Sequence, residues 1–157
     1  MSAFHTIGFR LNGRAVRKHV EPRTSAADMI RHDAGLTGTH VGCEQGVCGA
    51  CSIVLDGAVV RGCLVYAVQL DGAEVETIEG ASESGRIAAL QASFVERNAL
   101  QCGFCTPGML LTAAELLARE PNPSREVIRE ALSGNICRCT GYEAIVDAVE
   151  AVAKAAS

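Results

Sequence analysis

Apolar positions alternate through the first twenty residues. Ile7, Phe9 and Leu11 fall on one face, Asn12-Gly13 forms a strong two-residue turn signal, and Ala15-Val16 resume on the far side. The pattern predicts a hairpin over residues 4–20, closed by Pro22. Ser25 stands three residues before Asp28, a capping-box spacing, and Met29-Ile30 give the following helix an apolar side. That helix is predicted to run from Ser25 to Asp33, with Gly35 at its C-terminal cap. Residues 36–51 hold Gly38, Gly42, Gly46 and Gly49 and read as a loop. A second hairpin is predicted over residues 52–70, turning at Asp56-Gly57, and a last short strand runs from Val75 to Ile78.

The period then changes from two to helical. Ile87, Leu90 and Phe94 form one stripe. Thr106-Pro107 opens another, continued by Met109, Leu110, Ala113, Leu116 and Leu117 up to Pro121. Ser124 caps a third helix bearing Val127, Ile128, Ala131 and Leu132, which Gly134 ends. Thr140 with Glu143 gives a second capping box ahead of Ile145, Val146, Val149 and Val152. Four helices joined by short loops predict a small bundle. The polar stretch from Gly80 to Gly85 reads as a flexible seam. The expected fold class is therefore α+β: a strand-rich domain over residues 1–79 followed by a helical domain over 80–157.

Composition narrows the function. Of 157 residues, 48% are apolar, which excludes extended disorder, and Trp is absent, so aliphatic side chains must fill the cores. The net charge of −4 argues against a nucleic-acid partner, which calls for a basic face. The N-terminal stretch lacks the apolar run of a secretory signal, and no segment approaches the roughly 18 apolar residues that span a bilayer. A soluble, cytoplasmic protein with no membrane span is expected. Eight cysteines are the unusual feature. In a reducing compartment, clustered cysteines are more often metal ligands than disulfides.

The cysteines fall into two sets. Cys43, Cys48, Cys51 and Cys63 have the C-x4-C-x2-C…C order of a plant-type [2Fe–2S] site. Glycines between the ligands let one tight loop present three thiolates and bring backbone N–H groups near the sulfurs. This glycine richness also predicts that the first centre is the more exposed of the two. Cys102, Cys105, Cys137 and Cys139 form a two-plus-two set at predicted helix ends. Spacing alone leaves iron–sulfur and four-thiolate zinc both open there. His40 precedes Cys43 by three residues and could ligate in the Rieske manner, but four thiols are already present and a loop histidine is the simpler reading. His5, His19 and His32 have no metal-like neighbours. No Ser–His–Asp set, phosphate loop or dinucleotide motif occurs, so no catalytic residue is assigned.

Residues 35–51 (GLTGTHVGCEQGVCGAC), 101–108 (QCGFCTPG) and 134–142 (GNICRCTGY) resemble the small iron–sulfur subunit of the molybdenum hydroxylases. These are the xanthine dehydrogenase, aldehyde oxidoreductase and carbon monoxide dehydrogenase enzymes. Residues 72–80 (GAEVETIEG) resemble the join between that subunit's two domains, and the likeness runs from about residue 6 to 153. The resemblance implies two [2Fe–2S] clusters. One sits in an N-terminal ferredoxin-like β-grasp domain, held by Cys43, Cys48, Cys51 and Cys63; the other sits in a C-terminal four-helix bundle domain, held by Cys102, Cys105, Cys137 and Cys139. It favours iron–sulfur over zinc in the second set. It further implies that Gln101 contacts the pterin of a molybdenum cofactor and that Cys139 approaches it while ligating iron.

The implied partners are a large molybdopterin-binding subunit and a medium FAD-binding subunit or another acceptor. Electrons would pass from molybdopterin through the second centre and then the first, and some members run the route in reverse. His40 departs from the Lys common in the family, and residues 25–35 (SAADMIRHDAG) are more polar than usual. The expected function is an electron-transfer subunit with no substrate site of its own. A free-standing ferredoxin-type carrier is the alternative.

Overall fold

The computed structural model describes residues 4–155. Residues 1–3 and 156–157, at the ends of the two expected domains, lie outside the described residues. Strands β1 (His5–Leu11) and β2 (Arg14–Val20) form the first hairpin. Asn12 and Gly13 turn it with φ of 51° and 76°, both in the left-handed region that matches the strands' twist. Ser25 caps α1 (Ala26–Asp28) by accepting the Asp28 N–H at 3.1 Å, and the helix widens into a π turn, Met29–Asp33. β3 (Ser52–Leu55) and β4 (Ala58–Arg61) form the second hairpin around Asp56 and Gly57. β5 (Glu74–Glu76) inserts between the hairpins, parallel to β1 and antiparallel to β3. The sheet order is β2-β1-β5-β3-β4.

The second hairpin is shorter than expected. It stops at Arg61 because the Gly62 and Cys63 N–H groups turn back onto the Cys51 carbonyl and Sγ. The Gly62 and Val65 carbonyls then accept from Ala27 and Ala26 at the start of α1, and residues Ala67–Leu70 form a 3₁₀ turn. The last strand is also shorter than expected. Thr77 is buried and held by the Asn12 side chain, and the chain goes straight into a helix.

The expected flexible seam is largely this helix, α2 (Ile78–Glu83). Four further helices follow: α3 (Ala88–Glu96), α4 (Thr106–Arg119), α5 (Arg125–Leu132) and α6 (Glu143–Ala155). Ser124 caps α5 as expected, accepting the Val127 N–H at 3.3 Å. Thr140 does not cap α6. Gly141 and Tyr142 take φ of 66° and 68°, which no helix permits, and the helix starts only at Glu143. The Glu143 carboxylate goes instead to Arg125 and Arg129 of α5.

Two apolar cores result. Ile7, Phe9, Leu11, Met29, Ile30, Ile53, Leu70 and Val75 fill one. Phe94, Met109, Leu111, Leu116, Ile128, Leu132, Ile145 and Val149 fill the other. The period-two alternation of β3 and β4 connects them. Ile53 faces the first core, whereas Val54 and Val59 pack against the second. At β4, the Val59 N–H is covered by Glu115 of α4 at 2.6 Å, which occupies a donor that would otherwise invite strand pairing.

Candidate metal centres

The first four thiols come from one loop and the return of the second hairpin. Glu44, Gly46 and Gly49 take φ of 55°, 76° and 72°, so the loop coils tightly enough to bring its own N–H groups onto sulfur. Cys43 Sγ accepts from Gln45 N and from Cys48 N, each at 3.4 Å. Cys51 Sγ accepts from Cys63 N at 3.4 Å. The Cys48 amide, followed by that of Gln45, draws the Cys43 thiol down to about 6, so its thiolate is readily formed. Burial pushes the Cys51 thiol up to about 11. The thiols interact as pairs, Cys43 with Cys48 and Cys51 with Cys63.

The second four come from helix ends. Cys102 and Cys105 precede α4, and Cys137 and Cys139 lie between α5 and α6. Cys102 Sγ and Cys139 Sγ are 3.6 Å apart, and Cys105 interacts with Cys137. Burial, then the neighbouring Cys137, pushes the Cys105 thiol up to about 12. Burial, the largest influence, opposes ionisation of Cys137, but hydrogen bonds from the Thr140 hydroxyl and amide, the Cys139 amide and Cys105 together leave that thiol lowered. None of the eight cysteines is bridged to another. Among the described residues, no three His, Cys, Asp or Glu side chains are grouped as for a single metal ion.

Exposure runs against expectation. Cys102 and Cys139 are exposed, whereas none of the first four is, and Cys51 retains only 2% of its surface. The glycines of the first loop do not open it. They let backbone wrap over the sulfurs, and Leu64 packs where a Gly46 side chain would stand. Gln101 sits beside the exposed pair and donates from Nε2 to the Cys139 carbonyl at 3.2 Å. His40 is not gathered among the thiols. Its ring stacks on Phe104 with centroids 4.7 Å apart, and its Nδ1 lies 2.8 Å from the Phe104 carbonyl, so Nδ1 is the donor.

The two sets are bolted together. Ile136 N donates to the Cys48 carbonyl at 2.8 Å, and Asn135 Nδ2 donates to the Gly49 carbonyl at 3.1 Å. Arg61 reaches the Gly134 carbonyl at 2.6 Å. Sequence reasoning missed Asn135, Thr140 and Tyr142 as supports. Asn135 and Tyr142 lie inside the 134–142 motif, but their partners follow no local spacing rule. Tyr142 Oη accepts from Cys137 N at 2.8 Å.

Two sets of paired thiols on a jointed two-part chain fit a two-centre iron–sulfur electron carrier. Comparison with known proteins agrees. Residues 9–85 match the 2Fe-2S iron-sulfur cluster binding domain and residues 77–150 match the [2Fe-2S] binding domain. The nicotine 6-hydroxylase small subunit of Paenarthrobacter nicotinovorans is 52% identical, over 91% of this chain and 86% of its own. Caffeine dehydrogenase subunit gamma of Pseudomonas sp. (strain CBB1) is 48% identical, over 94% and 90%. In the crystal structure of quinoline 2-oxidoreductase from Pseudomonas putida 86, a chain 54% identical superimposes with a TM-score of 0.92, covering 98% of this chain and 96% of that one.

The chain belongs to the small iron–sulfur subunits of the molybdenum hydroxylases. It is an electron-transfer component of an oxidoreductase with two [2Fe–2S] centres, not the catalytic subunit, and the free-standing carrier reading falls. Among the described residues, no helix is long and apolar enough to cross a membrane.

Proposed function

We propose that Cys43 and Cys48 hold one iron of the first centre and Cys51 and Cys63 the other, with Cys102 and Cys139, and Cys105 and Cys137, serving the second. The pairing of the thiols carries this reading. A two-iron centre takes two thiolates on each iron, whereas a single zinc needs four around one point. When bound, each centre would take up and release one electron at a time, so that a two-electron oxidation elsewhere can be divided. The chain's own part is to hold the thiolates, supply N–H donors to them and keep water off the buried pairs.

The sheet order and the two cores support a ferredoxin-like β-grasp domain over residues 1–79 and a helical bundle domain over 80–157. The exposed Cys102–Cys139 edge, with Gln101 beside it, is where we place the molybdopterin of a large partner subunit. The exposed Val47, Leu64 and Tyr66 beside the first set support contact there with a medium FAD-binding subunit or another acceptor. Eight free thiols support a reducing compartment, the cytoplasm. The relatives named above belong to enzymes named for nicotine, caffeine and quinoline, all nitrogen heterocycles, and we assign the complex a substrate of that class.

The test is iron and acid-labile sulfide analysis with EPR of the dithionite-reduced complex. Two distinct signals per chain are expected. A single signal, or zinc in the second site, overturns the assignment. Turnover of aldehydes but of no pyridine, quinoline or purine overturns the substrate class.

A further inference from the structure

We infer that Thr140 sets the reduction potential of the second centre through its side-chain hydroxyl. This rests on the ligand assignment proposed above. Thr140 Oγ1 lies 3.1 Å from Cys137 Sγ and Thr140 N lies 3.4 Å from the same sulfur, both as donors. The hydroxyl also accepts from Tyr142 N at 3.2 Å. A hydroxyl has a single proton, and with the Tyr142 N–H on its oxygen that proton is directed onto sulfur.

The backbone is shaped for this chain of donors. Gly141 takes a φ of 66° between Thr140 and the Tyr142 N–H that reaches back to the hydroxyl, and Tyr142 itself takes a φ of 68°. Positive φ is uncommon for a residue other than glycine. Tyr142 is anchored there by its phenol, which accepts from Cys137 N at 2.8 Å and donates to the Asn135 carbonyl at 3.4 Å. The hydroxyl is thereby withdrawn from helix capping and spent on a ligand sulfur.

Adding an electron makes a thiolate-held centre more negative, so a donor aimed at its sulfur stabilises the reduced form more than the oxidised one. Cys137 is only 9% exposed, and low surrounding dielectric strengthens the effect. It also follows Ile136, whose N–H binds the Cys48 carbonyl, so the tuned sulfur belongs to the side bolted to the first set. The donors at Cys43 and Cys51 are backbone N–H groups, which side-chain substitution leaves in place. The Thr140 hydroxyl can be removed alone.

The experiment is an EPR-monitored redox titration of the heteromeric complex carrying Thr140→Val or Thr140→Ser. Thr140→Val should lower the second centre's reduction equilibrium about tenfold, which is about 59 mV for one electron. Thr140→Ser should restore it, and the first centre should not move in either variant. An unmoved second centre in Thr140→Val, equal shifts at both centres, or a Thr140→Ser variant as low as Thr140→Val each overturns the inference. Should Thr140→Val carry no second centre, Thr140→Ala removes the same hydroxyl at smaller volume. Loss of the second signal from all three variants would assign the residue to folding and overturn it as well. A wild-type complex without a second signal would instead sink the ligand assignment.

Discussion

The backbone N–H of Ile136 donates to the carbonyl oxygen of Cys48 at 2.8 Å, joining residues 88 positions apart in the sequence. Each belongs to a different cysteine set. The two sets are therefore joined by direct main-chain contact.

Gly49 lies at the heart of that joint. Its φ is 72°, and a Cβ there would stand 2.5 Å from the Gly134 carbonyl oxygen. Gly49→Ala is expected to cost about 2–4 kcal/mol, from left-handed strain together with overpacking. Because the clash spans both motifs, iron content should fall at both centres. Thermal unfolding and iron analysis of the variant check this.

Asn135 is 1% exposed and uses both ends of its amide, donating to the Gly49 carbonyl and accepting from Thr112 Oγ1 at 3.0 Å. Asn135→Ala removes the acceptor of the buried Thr112 hydroxyl, at about 1–3 kcal/mol, while the Gly49 carbonyl keeps the Ser52 hydroxyl and N–H. Urea denaturation should show a lower midpoint with an unchanged slope.

Cys137→Ser or Cys102→Ser should abolish the EPR signal of the second centre while sparing the first. Substrate-driven reduction of the terminal acceptor should be lost with it. Metal binding is coupled to folding, so circular dichroism on the same samples separates loss of the relay from collapse of the helices.

His40 and Phe104 form a second joint between the sets. His40→Leu removes the donor to the Phe104 carbonyl and the ring stack, an expected loss of about 1–2 kcal/mol. Differential scanning calorimetry measures it. Both EPR signals should survive, since His40 is not among the grouped thiols.

Glu150 is held below the usual carboxylate range by Lys154, then by Arg125. Its folded pKa therefore lies below its unfolded one. Glu150 contributes stability above the ordinary Glu value of about 4.3 that fades as pH falls through the folded value. Glu150→Gln should melt lower than wild type at neutral pH, and the gap should close on acidification. Added salt should also narrow it, because the Lys154 partner is largely exposed. Melting curves across pH and ionic strength test both effects.

Much of this was legible locally. Asn12-Gly13 and Asp56-Gly57 encode their own turns, Ser25 and Ser124 cap their helices, and the cysteine spacing divides the eight thiols into two sets. These features depend on backbone preferences and hydrogen bonds a few residues long, which neighbouring side chains specify directly.

Three things were not legible, each for a long-range reason. Thr140 fits a capping box by spacing, but the fold turns Gly141 and Tyr142 left-handed and gives the hydroxyl to Cys137. The stretch after Gly80 reads as polar linker, yet Asn12 pins Thr77 and a helix starts beyond it. The glycines around Cys48 suggest an open loop, whereas they admit close backbone from Gly134 and the Leu64 side chain. The sequence alone determined which residues could bind metal and which local turns and caps would form. The tertiary structure decided which thiols pair, which edge faces outward and how the two centres are joined, because those contacts link segments that only packing brings within hydrogen-bond reach.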